Sequence, residues 1–365
     1  MGDTMPGNGD FTAIPVLDLG LVQSDKPRLL AQLRHALIHI GFFYVSGHCI
    51  SDAFLAELKR QTVAFFDLPA NEKLAADKIH SPTFLGYSVL GNEITKGQRD
   101  NREQFDFASE LPATWHIGSP VHERLTGPNL WPRDEVIPGF QHTMLSFIAQ
   151  AQELAEQLVR LAAESLGLPH NTLLDKYVEP GQQQRAKIVK YPAVDQMAPS
   201  DGVQGVGPHR DVASLLTILY QASPQPGLQV QNHSGEWIDA VPIPGTFVVN
   251  IGTGLEHFTQ GVATATTHRV VSPLTGQGPR YSIPFFLGTR LDTKLDPVEM
   301  PQEMLDARPA RVVSDSGSQF AEQYARDPGV YYLLNRISSH RDVGSKHYPG
   351  FVQGEGYPSN LAPPS

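Results

Sequence analysis

Between Lys187 and Phe286 the chain divides into seven short β-prone runs, and this rhythm restricts the possible folds more than any other feature. The runs are Lys187–Tyr191, Ser214–Tyr220, Gly227–Gln231, Glu236–Val241, Thr246–Asn250, His268–Ser272 and Arg280–Phe286. Pro224-Gln-Pro-Gly227, Asn232-His-Ser-Gly235 and Pro242-Ile-Pro-Gly245 form turns between them. Many short strands joined by such turns predict a sandwich or barrel. Ahead of this region, Met144, Phe147, Ile148, Ala151, Leu154, Ala155, Leu158, Leu161 and Ala162 recur at three- and four-residue steps. They predict one long helix over 140–166, stopped by Gly167 and Pro169 and bracing a sheet with its apolar stripe. The expected architecture is mainly β with surrounding helices.

The first part of the chain is mixed. Ile14 to Leu19 and Phe42 to Val45 read as strands, and Leu29, Leu33, Leu37 and Ile40 mark an amphipathic helix. Ser51 is placed to cap a second helix carrying Phe54, Leu58, Phe65 and Phe66. Periodicity is weak over 71–138, which is expected to be loop and short helix over a pocket. The organisation read from this is one structural unit. A tail (1–11) precedes a helical and mixed region (12–138), which packs on a β core with its bracing helix and a C-terminal lid (139–350), followed by a second tail (351–365).

Two imidazoles and a carboxylate supply the chemistry. His209 and Asp211 are two residues apart, so an extended segment puts both on one face. His268 follows by 57 residues, room for several strands to bring it alongside. Such a set suits non-haem Fe(II) with positions left open for oxygen and an organic acid. Arg280 and Ser282 share a strand face with Pro284 and Phe286, and offer a guanidinium fork and a hydroxyl to a carboxylate. With 14 histidines, His209-x-Asp211 alone is weak evidence, and His340-Arg-Asp342 repeats the pattern. No strand follows that second copy to bring a third ligand, so it is read as surface or lid structure. A kinase catalytic loop is excluded because no Asn follows at the required position. Gly252-x-Gly254 lacks the third glycine of a dinucleotide fingerprint.

Composition narrows the partners. Net charge of −10 argues against nucleic acid, whose phosphates need a basic stripe. No apolar run approaches the ~18 residues of a membrane span, and Met1 to Asp10 lacks the features of a signal peptide. The single cysteine, Cys49, fits a reducing compartment. A cytoplasmic monomer or weak oligomer acting on a small molecule is expected.

Longer motifs carry a family likeness. Gly41-Phe-Phe-Tyr-Val-Ser-Gly-His48, Phe65-Phe-Asp-Leu-Pro69, Asn129-Leu-Trp-Pro132, Leu215-Leu-Thr-Ile-Leu-Tyr-Gln221, Pro244-Gly-Thr-Phe-Val-Val-Asn-Ile-Gly252 and Arg280-Tyr-Ser-Ile-Pro-Phe-Phe286 resemble the iron(II)- and 2-oxoglutarate-dependent dioxygenases of the isopenicillin N synthase-like type. The likeness covers roughly residues 12–290. Ser338-Ser-His-Arg-Asp-Val343 and His347-Tyr-Pro349 resemble fungal members. The resemblance implies a distorted double-stranded β-helix (jelly roll), Fe(II) on His209, Asp211 and His268, and the 2-oxoglutarate carboxylate on Arg280 and Ser282 with Tyr191 beside it. It also implies consumption of O2, release of succinate and CO2, and oxidation of a C–H bond in a small organic molecule of secondary metabolism. Phe286, with Phe105 and Tyr87, is a candidate for substrate contact. Three positions depart from the family pattern: Arg210 for Thr, Val189 for Asn and Thr253 for Asp. Arg210 should point away from the metal. A 2-oxoglutarate-independent oxidase like isopenicillin N synthase and a non-catalytic ligand-binding relative are the alternatives.

Overall fold

Alternating side chains set up two sheets that face each other in the computed structural model, which describes residues 10–95, 97–195, 203–292, 294–309 and 326–352. The strands are β1 (Val16–Asp18), β2 (Phe42–Ser46), β3 (Gly86–Ser88), β4 (Ile94–Thr95), β5 (Gln98–Arg99), β6 (Glu103–Ala108), β7 (Arg185–Tyr191), β8 (Gln204–His209), β9 (Ser214–Gln221), β10 (Leu228–Gln231), β11 (Trp237–Asp239), β12 (Phe247–Ile251), β13 (His268–Val271) and β14 (Arg280–Gly288). The larger sheet has eight strands in the order β1-β2-β12-β9-β14-β7-β6-β3, and the smaller runs β11-β10-β13-β8. β1 and β2 pair in parallel, and every other named strand pair is antiparallel.

The main helices are α1 (Lys26–His39), α2 (Asp52–Phe66), α3 (Phe140–Ser165), α4 (Pro328–Ser339) and α5 (Arg341–His347). Helix α3 lays Met144, Phe147, Ala151, Leu154 and Leu158 under the larger sheet, where Ile218, Ile283, Phe285 and Leu287 join them in one buried cluster. This is the bracing helix that the apolar stripe predicts. Ser51 caps α2, its side chain accepting from the Phe54 amide at 3.2 Å. Gly41 ends the turn between α1 and β2 at φ +71°, and a Cβ there would lie 2.2 Å from the Thr264 carbonyl oxygen. Only glycine fits that position.

The stretch expected to be loop over a pocket is instead partly sheet. β6 pairs with β7 over six residues, and β3 with β6. The strand was hidden because its inner positions are Gln104 and Asp106 rather than apolar residues, so the usual alternation is inverted against its phenylalanines. At the other end, β8 runs through Gly207-Pro208 up to His209. The tails expected at 1–11 and 351–365 fall mostly outside the described residues. No helix among the described residues is long and apolar enough to cross a membrane.

The helix–sheet contact is directly testable. Phe147 is fully buried, and Phe147→Ala should cost ~3–5 kcal/mol of unfolding free energy in urea. A loss under ~1 kcal/mol would contradict this packing.

Candidate active site

The two sheets enclose a cavity of about 830 Å³, and His209, Asp211 and His268 converge on its wall. His209 ends β8 and His268 begins β13, and the two are register partners across the smaller sheet. Asp211 lies two residues beyond β8. Its Oδ1 is 3.6 Å from His209 Nε2 and 3.8 Å from His268 Nε2, too long for hydrogen bonds. One ligand atom from each of the three lies within 4.8 Å of the others, a spacing that could hold a metal ion.

The surroundings aim these atoms. Nδ1 of His209 is 2.8 Å from the Gly207 carbonyl and Nδ1 of His268 is 3.2 Å from that of Thr266. An N–H donated there fixes the tautomer and leaves each Nε2 lone pair free. Thr217 Oγ1 and Asn250 Nδ2 donate to Asp211 Oδ2 at 2.6 and 2.8 Å, so Oδ1 stays available. Burial and the neighbouring His268 push the His209 pKa down, against the pull of Asp211. Burial alone would raise the Asp211 carboxyl, but the two imidazoles and its two hydrogen bonds hold it below its ordinary value. Neutral imidazoles with an ionised carboxylate are the forms that bind a metal. Gly252 makes the approach possible, since a Cβ there would lie 2.2 Å from the Ser214 carbonyl oxygen.

Further along the cavity stands Arg280, only 1% exposed. Its Nη2 donates to Gln221 Oε1 at 3.1 Å and its guanidinium lies 5.1 Å from the Tyr191 ring centre. Nε and Nη1 have no hydrogen-bond partner. Burial lowers the pKa of this arginine, as expected for a cation with no anion beside it. Arg280 pairs with Tyr191, and Ser282 with Val189 and Gln221, so the strand register gathers them on one wall. The donors left over fit a carboxylate, the group a buried guanidinium fork requires.

Other expected residues fall differently. Phe286 lines the cavity, with Lys187 Nζ 5.7 Å from its ring centre. Phe105 and Tyr87 do not line it. Phe105 points to the opposite face of β6, packed among Phe65, Trp131 and Phe140, and Tyr87 donates to Glu103 at 2.7 Å. On β6, strand alternation turns Phe105 to the face opposite Asp106, which lines the cavity. Arg210 turns away from the metal site towards Glu256, 3.6 Å distant. His340 is no surface residue: it is 2% exposed, lines the cavity from the end of α4 and touches Glu93. The charged residues around it, Glu93, Arg102, Asp106, Arg185, Lys187 and Arg336, were missed by the sequence reading. Period-two spacing of Arg185 and Lys187 ahead of Tyr191 was the available signal.

This fold and site define a non-haem iron oxygenase that uses an oxo-acid cosubstrate, and the comparisons give the family. Residues 180–289 match the 2OG-Fe(II) oxygenase superfamily, and residues 14–134 match the family described as non-haem dioxygenase in morphine synthesis, N-terminal. The chain belongs to the 2-oxoglutarate- and iron(II)-dependent oxygenases, enzymes that use Fe(II), 2-oxoglutarate and O2. It is 40% identical to the 2-oxoglutarate-dependent dioxygenase frbJ of Dothideomycetidae sp. (strain 11243), over 94% of this chain and 95% of that one. A 2-oxoglutarate-dependent dioxygenase of Gibberella zeae is 36% identical, over 94% and 93%. Among solved structures, a full-length Neurospora crassa protein crystallised in complex with alpha-KG superposes with a TM-score of 0.69 at 27% identity, covering 89% of this chain and 96% of that one. The jelly-roll core is therefore the family's, and the two alternative readings find no support.

The hydrogen bonds to Asp211 should tune metal affinity. Thr217→Val should weaken Co(II) binding, followed by its visible absorption, by roughly 10-fold or more while leaving the fold intact. Unchanged affinity would show that Asp211 needs no such support.

Proposed function

We propose that His209, Asp211 and His268 hold Fe(II), and that Arg280 and Ser282, with Tyr191 alongside, hold the distal carboxylate of 2-oxoglutarate in this oxygenase. The observation that carries the second assignment is the buried Arg280 with two nitrogens lacking partners, on the same cavity as the three metal-competent atoms. When bound, iron and 2-oxoglutarate would supply oxygen activation, coupling decarboxylation to succinate and CO2 with oxidation of a substrate C–H bond.

The chain's own residues then do four things. The backbone carbonyls of Gly207 and Thr266 keep the imidazole lone pairs presented. Thr217 and Asn250 keep one carboxylate oxygen of Asp211 turned inward. Gln221 and the Tyr191 ring hold the Arg280 fork in place before any acid arrives, which removes ordering cost from binding. Val206, Leu219, Leu228 and Val270 line the cavity near these groups and limit the water there.

The substrate is a small organic molecule, and Phe286 is the candidate contact that lies on the cavity. The two fungal relatives support a place in secondary metabolism. Relatives at 32% identity from Glycine max and Arabidopsis thaliana carry the name homoarginine-6-hydroxylase, which supports a polar, amino-acid-sized substrate. A cytoplasmic location accords with the free Cys49.

Anaerobic titration with Fe(II) and 2-oxoglutarate should produce a weak visible charge-transfer band in the wild type. Arg280→Ala should lose the band at 2-oxoglutarate concentrations that saturate the wild type, and His209→Ala should lose it through loss of iron. Iron binding with no band on adding 2-oxoglutarate would overturn the cosubstrate assignment.

A further inference from the structure

Beyond Arg280, on the cavity wall and directly behind it, lies a charged array that the iron and 2-oxoglutarate sites do not use. Glu93, Arg102, Asp106, Arg185, Lys187 and Arg336 line the cavity, and Asp100 and Lys78 back them. Carboxylates come from Glu93, Asp100 and Asp106, and cations from Lys78, Arg102, Arg185, Lys187 and Arg336. Lys78 is wholly buried, 3.4 Å from Glu93 Oε1 and 2.7 Å from Asp106 Oδ2. Arg102 Nη2 reaches Glu93 Oε2 at 2.5 Å and Asp100 Oδ2 at 3.0 Å. Arg336, projecting from α4, reaches Asp106 Oδ1 at 3.4 Å. Gln104 donates to Glu93 and Asp106 at 2.5 Å each.

Glu93, Asp106 and His340 also satisfy the spacing of a metal cluster. A second metal is a poor reading, because the Lys78 ammonium already bridges the two carboxylates. His340 is pushed down to about 4 by burial, despite the Glu93 contact, and adds no charge near neutrality.

Within this array the carboxylates are shared unevenly among the cations, and Arg185 and Lys187 have the fewest close carboxylate contacts. Arg185 makes no ion pair among the described residues. Its guanidinium donates to main-chain carbonyls, Thr83 at 2.9 Å and Leu125 at 2.5 Å. Lys187 Nζ is 3.7 Å from Asp106 Oδ1, beyond hydrogen-bond reach of a carboxylate that Lys78 and Gln104 already occupy. The carboxylates at the outer rim, Glu179 and Asp292, are taken by Arg290 at 2.9 and 2.8 Å. Burial lowers the pKa of both Arg185 and Lys187, the same sign that marks Arg280.

Arg185, Lys187 and Tyr191 share one face of β7, so the pair stands ~13–20 Å along the strand from the Tyr191 backbone. Arg185 is the register partner of Phe286 on β14, and Lys187 lies over that ring. Two under-compensated cations flank one aromatic surface.

We propose that this patch is the substrate subsite, and that it takes an organic acid: a carboxylate between Lys187 and Arg185, with the carbon skeleton against Phe286. A second acid besides 2-oxoglutarate would give both cations a close anionic partner. This rests on the oxygenase reading of the metal centre and adds the substrate's chemical class. Arg336 closes the site from α4, so the C-terminal helices form part of the pocket as well as its cover.

The test uses the full chain loaded with Mn(II), a slow redox stand-in for iron, and 2-oxoglutarate. Thermal unfolding is followed with a panel of free L-amino acids and aliphatic and aromatic monocarboxylic acids, each beside its primary amide. At least one acid should raise Tm by ~3 °C or more while its amide does not. The shift should disappear in Lys187→Met (or Lys187→Gln, should the first fail to fold) and return in Lys187→Arg. The proposal is overturned if amides stabilise as well as acids, if the shift survives in Lys187→Met, or if no acid of the panel moves Tm. The charge-transfer band of the same purified protein, loaded instead with Fe(II) and 2-oxoglutarate under anaerobic conditions, separates the two readings. A normal band with no acid preference removes only the substrate class, whereas a missing band removes the reading beneath it.

Discussion

Everything at the active site depends on the larger sheet having one face sealed. Helix α3 covers the outer face with Phe147, Leu154 and Leu158 against Ile218, Ile283 and Phe285, all nearly inaccessible to solvent. That burial stabilises the outer face, and a second buried cluster, in which Tyr44, Val189 and Val248 meet Val206, Leu228 and Val270, joins the two sheets. The inner face is then free to carry groups that would be costly in a core. Arg280, Ser282, Asp106, Lys187 and Arg185 occupy it, each on the same strands as the apolar residues pointing the other way. Strand alternation is thus the device that lets one element serve stability and chemistry together.

The smaller sheet sets the aim of the two imidazoles. Its β8–β13 pairing makes His209 and His268 direct neighbours, and backbone carbonyls two residues upstream of each hold the ring nitrogens that face away from the metal position. Asp211 has no strand of its own to fix it. Thr217 and Asn250, from β9 and β12 of the other sheet, do so instead. The metal-competent set therefore exists only when both sheets are docked, and site formation is coupled to the packing of the sandwich.

The cavity is also unusual in how its charge is distributed. A site for a neutral apolar molecule would pair every buried cation or do without it, since an uncompensated charge in a closed cavity is expensive. Here Arg280 at one end and Arg185 with Lys187 at the other lack full compensation, while Lys78 and Arg102 between them are well paired. Lys78 and Arg102 are held within the wall by their carboxylates, whereas Arg280, Arg185 and Lys187 are left with the fewest close anionic partners.

The sequence by itself determined the β core, the bracing helix, the His209–Asp211–His268 set and the Arg280–Ser282 face. Each of these is written in local periodicity or residue chemistry: period two for strands, three and four for the helix, and ligand types at strand spacing. Strand β6, the burial of His340 and the exclusion of Phe105 and Tyr87 from the cavity were decided only by the tertiary structure. Those features turn on which face of a strand meets helices and which meets the cavity. A polar inner face erases the alternation that would reveal the strand. His340 is a further case: its neighbour Glu93 lies 247 residues earlier in the chain, and only the docking of α4 over the sheet brings them into contact. Local sequence carries the identity of such a residue but not its partner, because burial is set by what the rest of the chain packs against it.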